Sequence, residues 1–188
     1  MKSTVIVITG LPATGKTTLG IQLATHFKVP FLSKDVIKEL IFDHLGVEDR
    51  EFSKKTGRAA YAILYEVADQ LMRSGSSFII ESNFKPAFDN ATFSAIKEKY
   101  APEFIQVLCW ANGEVLLERF AARAESGDRH PGHVDSGNLD EFSSSLLQGR
   151  SEPLDIDGKL IEVDTTDFTK IDVDQIIKEI SHGSHFAN

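Results

Sequence analysis

Cysteine is nearly absent: the 188-residue chain has one, Cys109. A single thiol excludes an internal disulfide and any metal site built on several cysteines. Its apolar surroundings, Phe104 to Trp110, make it a buried thiol and make Trp110 a packing residue. Long apolar runs are missing too. None approaches the roughly 18 residues of a membrane span. The four-residue run Val5–Ile8, followed by Gly10 and Pro12, is too short for the centre of a secretion signal. These absences lead us to expect a soluble protein of the reducing cytoplasm with no membrane partner. Positive charge is in deficit, because 20 Lys and Arg against 28 Asp and Glu leave a formal net charge of −8. Such a chain repels nucleic acid except where basic residues cluster. What is present suffices for a core: 41% apolar residues can offset the entropy of ordering the chain, and the length suits one domain spanning 1–188.

Short apolar runs alternate with segments of helical spacing. Strands are expected at Thr4–Thr9, Val29–Leu32, Ser77–Glu81, Glu103–Cys109 and Lys159–Val163. The first four are almost continuously apolar, as strands covered on both faces are, and the fifth alternates. Helical faces are formed by Leu19, Leu23, Ala24 and Phe27; by Val36, Ile37, Leu40 and Ile41; by Ala60, Ile63, Leu64, Val67, Leu71 and Met72; and by Val173, Ile176, Ile177 and Ile180. This order implies an α/β fold with a parallel sheet and right-handed crossovers. Residues 126–138 hold three Gly and one Pro and read as a long surface loop, a length associated with function.

Gly10-Leu11-Pro12-Ala13-Thr14-Gly15-Lys16-Thr17 matches G-x-x-x-x-G-K-[ST], with a strand before it and a helix after it. That is the context the motif needs. Gly10 and Gly15 permit backbone conformations closed to residues with a Cβ, so loop N–H groups can turn toward phosphate oxygens beside the positive end of the helix. Lys16 supplies a charge for the β- and γ-phosphates, and Thr17 a hydroxyl for Mg²⁺; Thr18 completes the nucleotide-binding stretch. Chance produces roughly one such match per hundred chains of this length, before the flanking elements are counted.

Other candidates stand where strands end. In a parallel sheet the carboxyl ends of strands share one crevice. Asp35, after the second strand, would accept the proton of an attacking hydroxyl, help hold Mg²⁺ by way of Thr17, or cap its helix. Lys38 lies one turn on and would hold an anionic substrate. Glu81, with Ser82 and Asn83, ends the third strand, where an acid reaches metal or substrate. Arg119 and Arg123 share a helix face, and Arg129 follows in the glycine-rich loop; arginines over the phosphates would offset charge in transfer. His130 and His133 have ligand spacing but no evident third ligand, so they read as solvent-facing or substrate-touching rather than as a metal site.

Together these residues resemble the small P-loop kinases: the Gly10–Thr18 loop, Ser33-Lys34-Asp35, Glu81-Ser82-Asn83, the helix carrying Arg119 and Arg123, and Arg129-His130-Pro131-Gly132-His133. The similarity extends over residues 3–180 and is to the AAA_33 and zeta-toxin kinases, polynucleotide 5′-hydroxyl kinases and chloramphenicol phosphotransferases. It implies a three-layer fold with strand order 2-3-1-4-5, a helical lid at about 112–148, and adenine beside Asp164–Thr166. It also implies that Asp35 is the general base, Arg123 contacts the transferring phosphate, and Lys38 holds the acceptor. Glu81 departs from the Asp of the polynucleotide kinases.

The expected activity is transfer of the γ-phosphoryl of ATP, with Mg²⁺, to a hydroxyl of a small molecule. The catalytic set is Lys16, Asp35 and Arg123. Arg119 binds nucleotide with the loop, and Lys38, Glu81, Asn83 and Arg129 bind substrate. The acceptor end reads as poor in basic residues, which disfavours nucleic acid. A nucleic-acid 5′-hydroxyl or nucleotide-sugar kinase, and a nucleotide switch acting through a protein partner, are the alternatives. The acceptor's identity and the oligomeric state leave no mark in the sequence.

Overall fold

The computed structural model describes residues 3–127, 129–133 and 139–182, and within them five strands form one parallel sheet. The strands are β1 (Thr4–Gly10), β2 (Phe31–Ser33), β3 (Phe78–Glu81), β4 (Glu103–Trp110) and β5 (Gly158–Asp164). Their order is β2-β3-β1-β4-β5, as expected. The helices are α1 (Lys16–Phe27), α2 (Lys34–Leu45), α3 (Arg50–Arg73), α4 (Pro86–Tyr100), α5 (Gly113–Glu125), α6 (Leu139–Leu146) and α7 (Val173–Ser181). Among the described residues no helix is long and apolar enough to cross a membrane.

Successive side chains of β1 point to opposite faces, and both faces are covered. Ile6 and Ile8 pack with Leu19 and Leu23 of α1 and Ile176 and Ile180 of α7. Val5 and Val7 pack with Leu64, Ala68 and Met72 of α3 and Phe93 of α4. The result is three layers, helix–sheet–helix. At the edge, β5 keeps the alternation read in its sequence: Ile161 and Val163 are buried and their neighbours exposed. A smaller cluster joins Leu116 and Phe120 of α5 to Leu146 of α6, with Leu11 and Ala13 of the loop after β1 against it.

Register decides where the functional residues meet. Ser33 of β2 pairs with Glu81 of β3, which pairs with Ile8 of β1, while Gly10 pairs with Cys109 of β4. The ends of three strands therefore stand abreast, and the segments beginning at Leu11, Lys34 and Ser82 leave the sheet side by side.

Three elements differ from the expected pattern. The face of α2 that is buried carries Lys38 and Phe42, while Val36 and Leu40 are exposed. This helix packs mainly on α3, not on the sheet, so its burial follows a different stripe. The long helix α3 begins ten residues before its first expected apolar residue, because its first turns bury Ser53 and Thr56 rather than aliphatic groups. No periodicity announces α4, whose buried positions are only Asp89 and Phe93 and whose Phe88 faces solvent. Asp89 there accepts hydrogen bonds from the Tyr65 hydroxyl and the Lys85 N–H, both at 2.6 Å.

Gln106 interrupts the apolar run of β4 and is buried. Its amide accepts from the Leu154 N–H at 2.7 Å and donates to the Leu154 carbonyl at 3.3 Å, fastening the chain before β5. Gln106→Leu would strand both backbone groups. It should destabilise the protein by about 1–3 kcal/mol, read as a lower urea midpoint at unchanged slope; an unchanged midpoint would show that water replaces the amide.

Candidate active site

The site begins where β1 ends. Gly10 has φ +146° and Gly15 φ +78°, and Ala13 between them adopts φ +65°. A Cβ on residue 10 would collide with the Cys109 carbonyl oxygen of β4. The Leu11 carbonyl gathers the loop, accepting from Thr14 Oγ1 at 2.9 Å and Lys16 Nζ at 3.1 Å. Among the described residues, the N–H groups of Ala13, Thr14 and Gly15 donate to no protein acceptor. Unpaired backbone donors at the start of α1, with its dipole behind them, form an anion site.

Glu81 lies next to this loop. It accepts from Ser33 Oγ at 2.7 Å and Thr17 Oγ1 at 3.4 Å, and Lys16 Nζ is 4.0 Å away. Burial raises the Glu81 pKa, against the opposing pull of Lys16 and the Ser33 hydroxyl. Burial likewise lowers the Lys16 pKa, and Glu81 and Asp35 counter it. The residues fit a hard divalent cation: Thr17 and Glu81 present adjacent oxygens, and a cation would compensate the buried carboxylate. No cluster of three or more His, Cys, Asp and Glu occurs among the described residues, so the remaining ligands of Mg²⁺ would be phosphate oxygens and water, as is common for that ion.

Asp35 stands in the first turn of α2. Lys34 Nζ donates to its Oδ1 at 3.0 Å and Arg129 Nη2 to its Oδ2 at 3.0 Å. Desolvation alone would raise its pKa, but Lys34, Arg129 and His133 outweigh it and hold the carboxyl well below the usual range. Asp35 is therefore an anion at any physiological pH. No side chain of its own caps α2 at Ser33.

Lys38 is buried, with Nζ donating to Ser53 Oγ at 2.8 Å and lying 5.2 Å from the Phe42 ring centre. Burial, reinforced by the nearby Lys34 charge, lowers its pKa to about 8. Arg129 reaches past Asp35 to Glu39, 3.6 Å away. The solvent-facing reading fails for His133, which lines the cavity of this site, whereas His130 stays partly exposed. His133 is buried and bonded to Glu39 at 2.8 Å, and His130 stacks on Phe42 and meets Asp43 at 3.1 Å. An apolar ring and two carboxylates on one face of α2 draw this segment down.

A cavity of about 580 Å³ joins these parts. Pro12, Ala13, Gly15, Lys16, Thr17 and Thr18 line it at one end, and Asp35, Lys38, Glu81, Asn83, Arg123 and Arg129 line it elsewhere. Gly10 and Thr14 support the loop from behind. Arg119 stands apart from the cavity wall. Its guanidinium donates to the Thr165 and Thr166 carbonyls, both at 2.8 Å, and lies 3.7 Å from the Phe168 ring centre. That ring in turn covers Gly15, where a Cβ would come within 2.8 Å. Arg119 thus ties the loop after β5 to the phosphate loop.

The expectation of few basic residues at the acceptor end is overturned. Among the described residues, nine Lys and Arg line the cavity against two carboxylates, Asp35 and Glu81. The residues that sequence reasoning missed are Arg50, Lys54 and Arg58 of α3, with Tyr61, Lys34 and Lys85. The spacing of Arg50, Lys54 and Arg58 at four-residue intervals was the available signal, since it puts three cations on one helix face.

The Lys38 shift has a measurable sign. Its folded pKa of about 8 lies below the ordinary 10.5, so between those values the unfolded chain binds more protons and stability rises with pH. In chemical denaturation, wild type should gain stability relative to Lys38→Met as pH is raised from 8 to 10; a constant difference would show an unperturbed amine.

Residues 5–148 match the AAA_33 family model, described as an AAA domain. The chain is 38% identical to a "putative kinase" from Chloroflexus aurantiacus j-10-fl, over 97% of this chain and 98% of that one, with a TM-score of 0.88. The fold is shared with a sugar kinase from Janibacter sp. HTCC2649 at 17% identity, 95% and 92% coverage and TM-score 0.55. It is shared also with the APS kinase of Mycobacterium tuberculosis, in complex with AMPPNP and APS, at 14% identity, 95% coverage of both chains and TM-score 0.56. No curated protein matches the chain.

Proposed function

The chain belongs to the AAA_33 family of AAA domains, among the small P-loop kinases, and on that premise we propose that it transfers the γ-phosphoryl group of ATP to a hydroxyl of a small molecule. The observation that carries this reading is one cavity holding both the unpaired N–H groups of the phosphate loop and the ionised Asp35. A carboxylate in the same cavity as the phosphate loop gives an acceptor hydroxyl a hydrogen-bond partner, which a switch or simple ATPase does not require. The M. tuberculosis APS kinase that shares the fold was solved with AMPPNP and APS together.

In this mechanism Ala13, Thr14 and Gly15 receive the phosphate tail, and Lys16 turns from the Leu11 carbonyl to the β- and γ-phosphates. Thr17 and Glu81 would hold Mg²⁺, which would withdraw charge from the phosphate oxygens. The loop Asp164–Thr166, braced by Arg119, adjoins the nucleotide base. Asp35 accepts a hydrogen bond from the acceptor hydroxyl and points its lone pair at the γ-phosphorus. The hydroxyl oxygen bonds to that phosphorus, the bond from phosphorus to the β–γ bridging oxygen breaks, and ADP leaves with the electron pair. The hydroxyl proton passes to Asp35 and on to solvent. A carboxylate held so far below its usual pKa is a weak base, so Asp35 acts mainly by orientation, and proton transfer follows late in a loose transition state. Arg123 offsets charge on the transferring group. Asn83 and Lys38 contact the acceptor, and Arg129 exchanges Asp35 for substrate. The segment 112–148 serves as the lid that excludes water; its residues 128 and 134–138 lie outside the described residues.

The test is ADP formation over a panel of hydroxyl compounds. It should depend on one of them; ATP loss stimulated only by a protein partner would replace the kinase with a switch. With that acceptor, Lys16→Ala should abolish transfer in a folded protein. Asp35→Asn should lower kcat by about 10²–10⁴ with little change in ATP affinity, and loss of folding instead would make Asp35 structural. Arg123→Ala should lower kcat by about 10²–10³ more than it weakens ATP binding; a pure affinity loss would place it in ground-state contact.

A further inference from the structure

The cavity holds more positive charge than a magnesium nucleotide can use. Lys16 and Arg123 serve the phosphate tail, and Lys34 and Arg129 are both bound to Asp35. Among the described residues five further cations line the cavity, Lys38, Arg50, Lys54, Arg58 and Lys85, and its lining carboxylates are Asp35 and Glu81. Lys54 is partly answered by Glu51 at 3.2 Å, and Arg50 lies over the Phe142 ring at 5.4 Å. Among the described residues neither Arg58 nor Lys85 makes an ion pair.

Arg50, Lys54 and Arg58 stand about 6 Å apart in a column on α3. Ser53, Gly57 and Tyr61 fill the wall between them. Gly57 carries no side chain there, and the nearest atom to a Cβ built on it would be Lys38 Cε at 3.9 Å. Lys38 is held in place by Ser53, so its ammonium is a fixed feature of this wall and not a solvated tip. A protein of net charge −8 has gathered like charges in one place, where their mutual repulsion costs stability until an anion arrives.

Resting on the kinase reading above, we propose that the acceptor already carries a phosphoryl group, which docks against Lys38, Arg58 and Lys85 while its hydroxyl faces Asp35. A phosphoryl group brings close to two negative charges and three acceptor oxygens. A neutral sugar would leave Lys38, Arg58 and Lys85 uncompensated, and one carboxylate would answer a single charge. A cavity of about 580 Å³ that must also take the nucleotide tail suits a small phosphorylated compound, and the acidic surface outside it turns away a polymer.

Calorimetry of the protein saturated with Mg·AMPPNP, titrated with inorganic phosphate, tests the proposal with the nucleotide site filled. One further site for phosphate is expected, with affinity at least tenfold weaker in Arg58→Ala and Lys85→Ala, and AMPPNP binding unchanged in both. Parallel titrations use acetate and a 5′-hydroxyl oligonucleotide. If AMPPNP itself does not bind, the kinase reading fails and this inference with it. If AMPPNP binds but phosphate does not, or phosphate binding ignores both substitutions, the inference alone fails. Acetate binding as tightly as phosphate would assign the wall to a carboxylate, and tighter binding of the oligonucleotide would assign it to nucleic acid; either result overturns the phosphoryl assignment.

Discussion

Parallel pairing of β1 with β3 on one side and β4 on the other is the constraint from which the rest of this molecule follows. With both faces and both edges covered, β1 is wholly buried, and its chain can continue only at the carboxyl edge of the sheet. There Gly10 must turn against the β4 backbone, and the turn leaves loop N–H groups without protein partners among the described residues. The same registers bring Ser33 and Glu81 alongside. A phosphate cradle, a hydroxyl and a buried carboxylate thus meet because the hydrogen-bond ladder puts three strand ends at one level.

Charge is distributed against the average. The chain is acidic overall, yet its cavity is basic. Net charge describes what a protein does to a distant polyanion; local charge describes what a cleft concentrates. Cations confined to a cleft raise the local potential there without making the whole surface attractive to a polyanion. The cost is visible in Lys38, whose pKa is pushed down by burial and by its basic neighbours.

The turn at Arg129–His133 couples the two sides of the cleft. It follows α5, yet it is fastened to α2 and α3 through Asp35, Glu39, Asp43 and the bond from Ser53 to the Gly132 carbonyl at 2.8 Å. Two of these carboxylates, Asp35 and Glu39, are shared with Arg129 itself.

Composition and local pattern were enough to determine the layered fold, the phosphate loop and its helix, and the placing of Asp35, Glu81 and Arg123 near one crevice. Those features rest on short-range physics: glycines at a tight turn, an apolar run that must be covered, a helix that begins with Lys16. The strand order came with the family resemblance, and the sheet agrees. Tertiary packing decided what periodicity could not show. The face of α2 that is buried depends on α3 lying beneath it, so Lys38 and Phe42 turn inward while Val36 and Leu40 do not. His133 is buried because Glu39 awaits it across the fold. The basic wall exists because α3, 40 residues from the phosphate loop in the chain, leans its Arg50–Arg58 column over the same opening. Residues that share a helix face can be read from spacing, but what that face looks onto is a matter of three-dimensional neighbours.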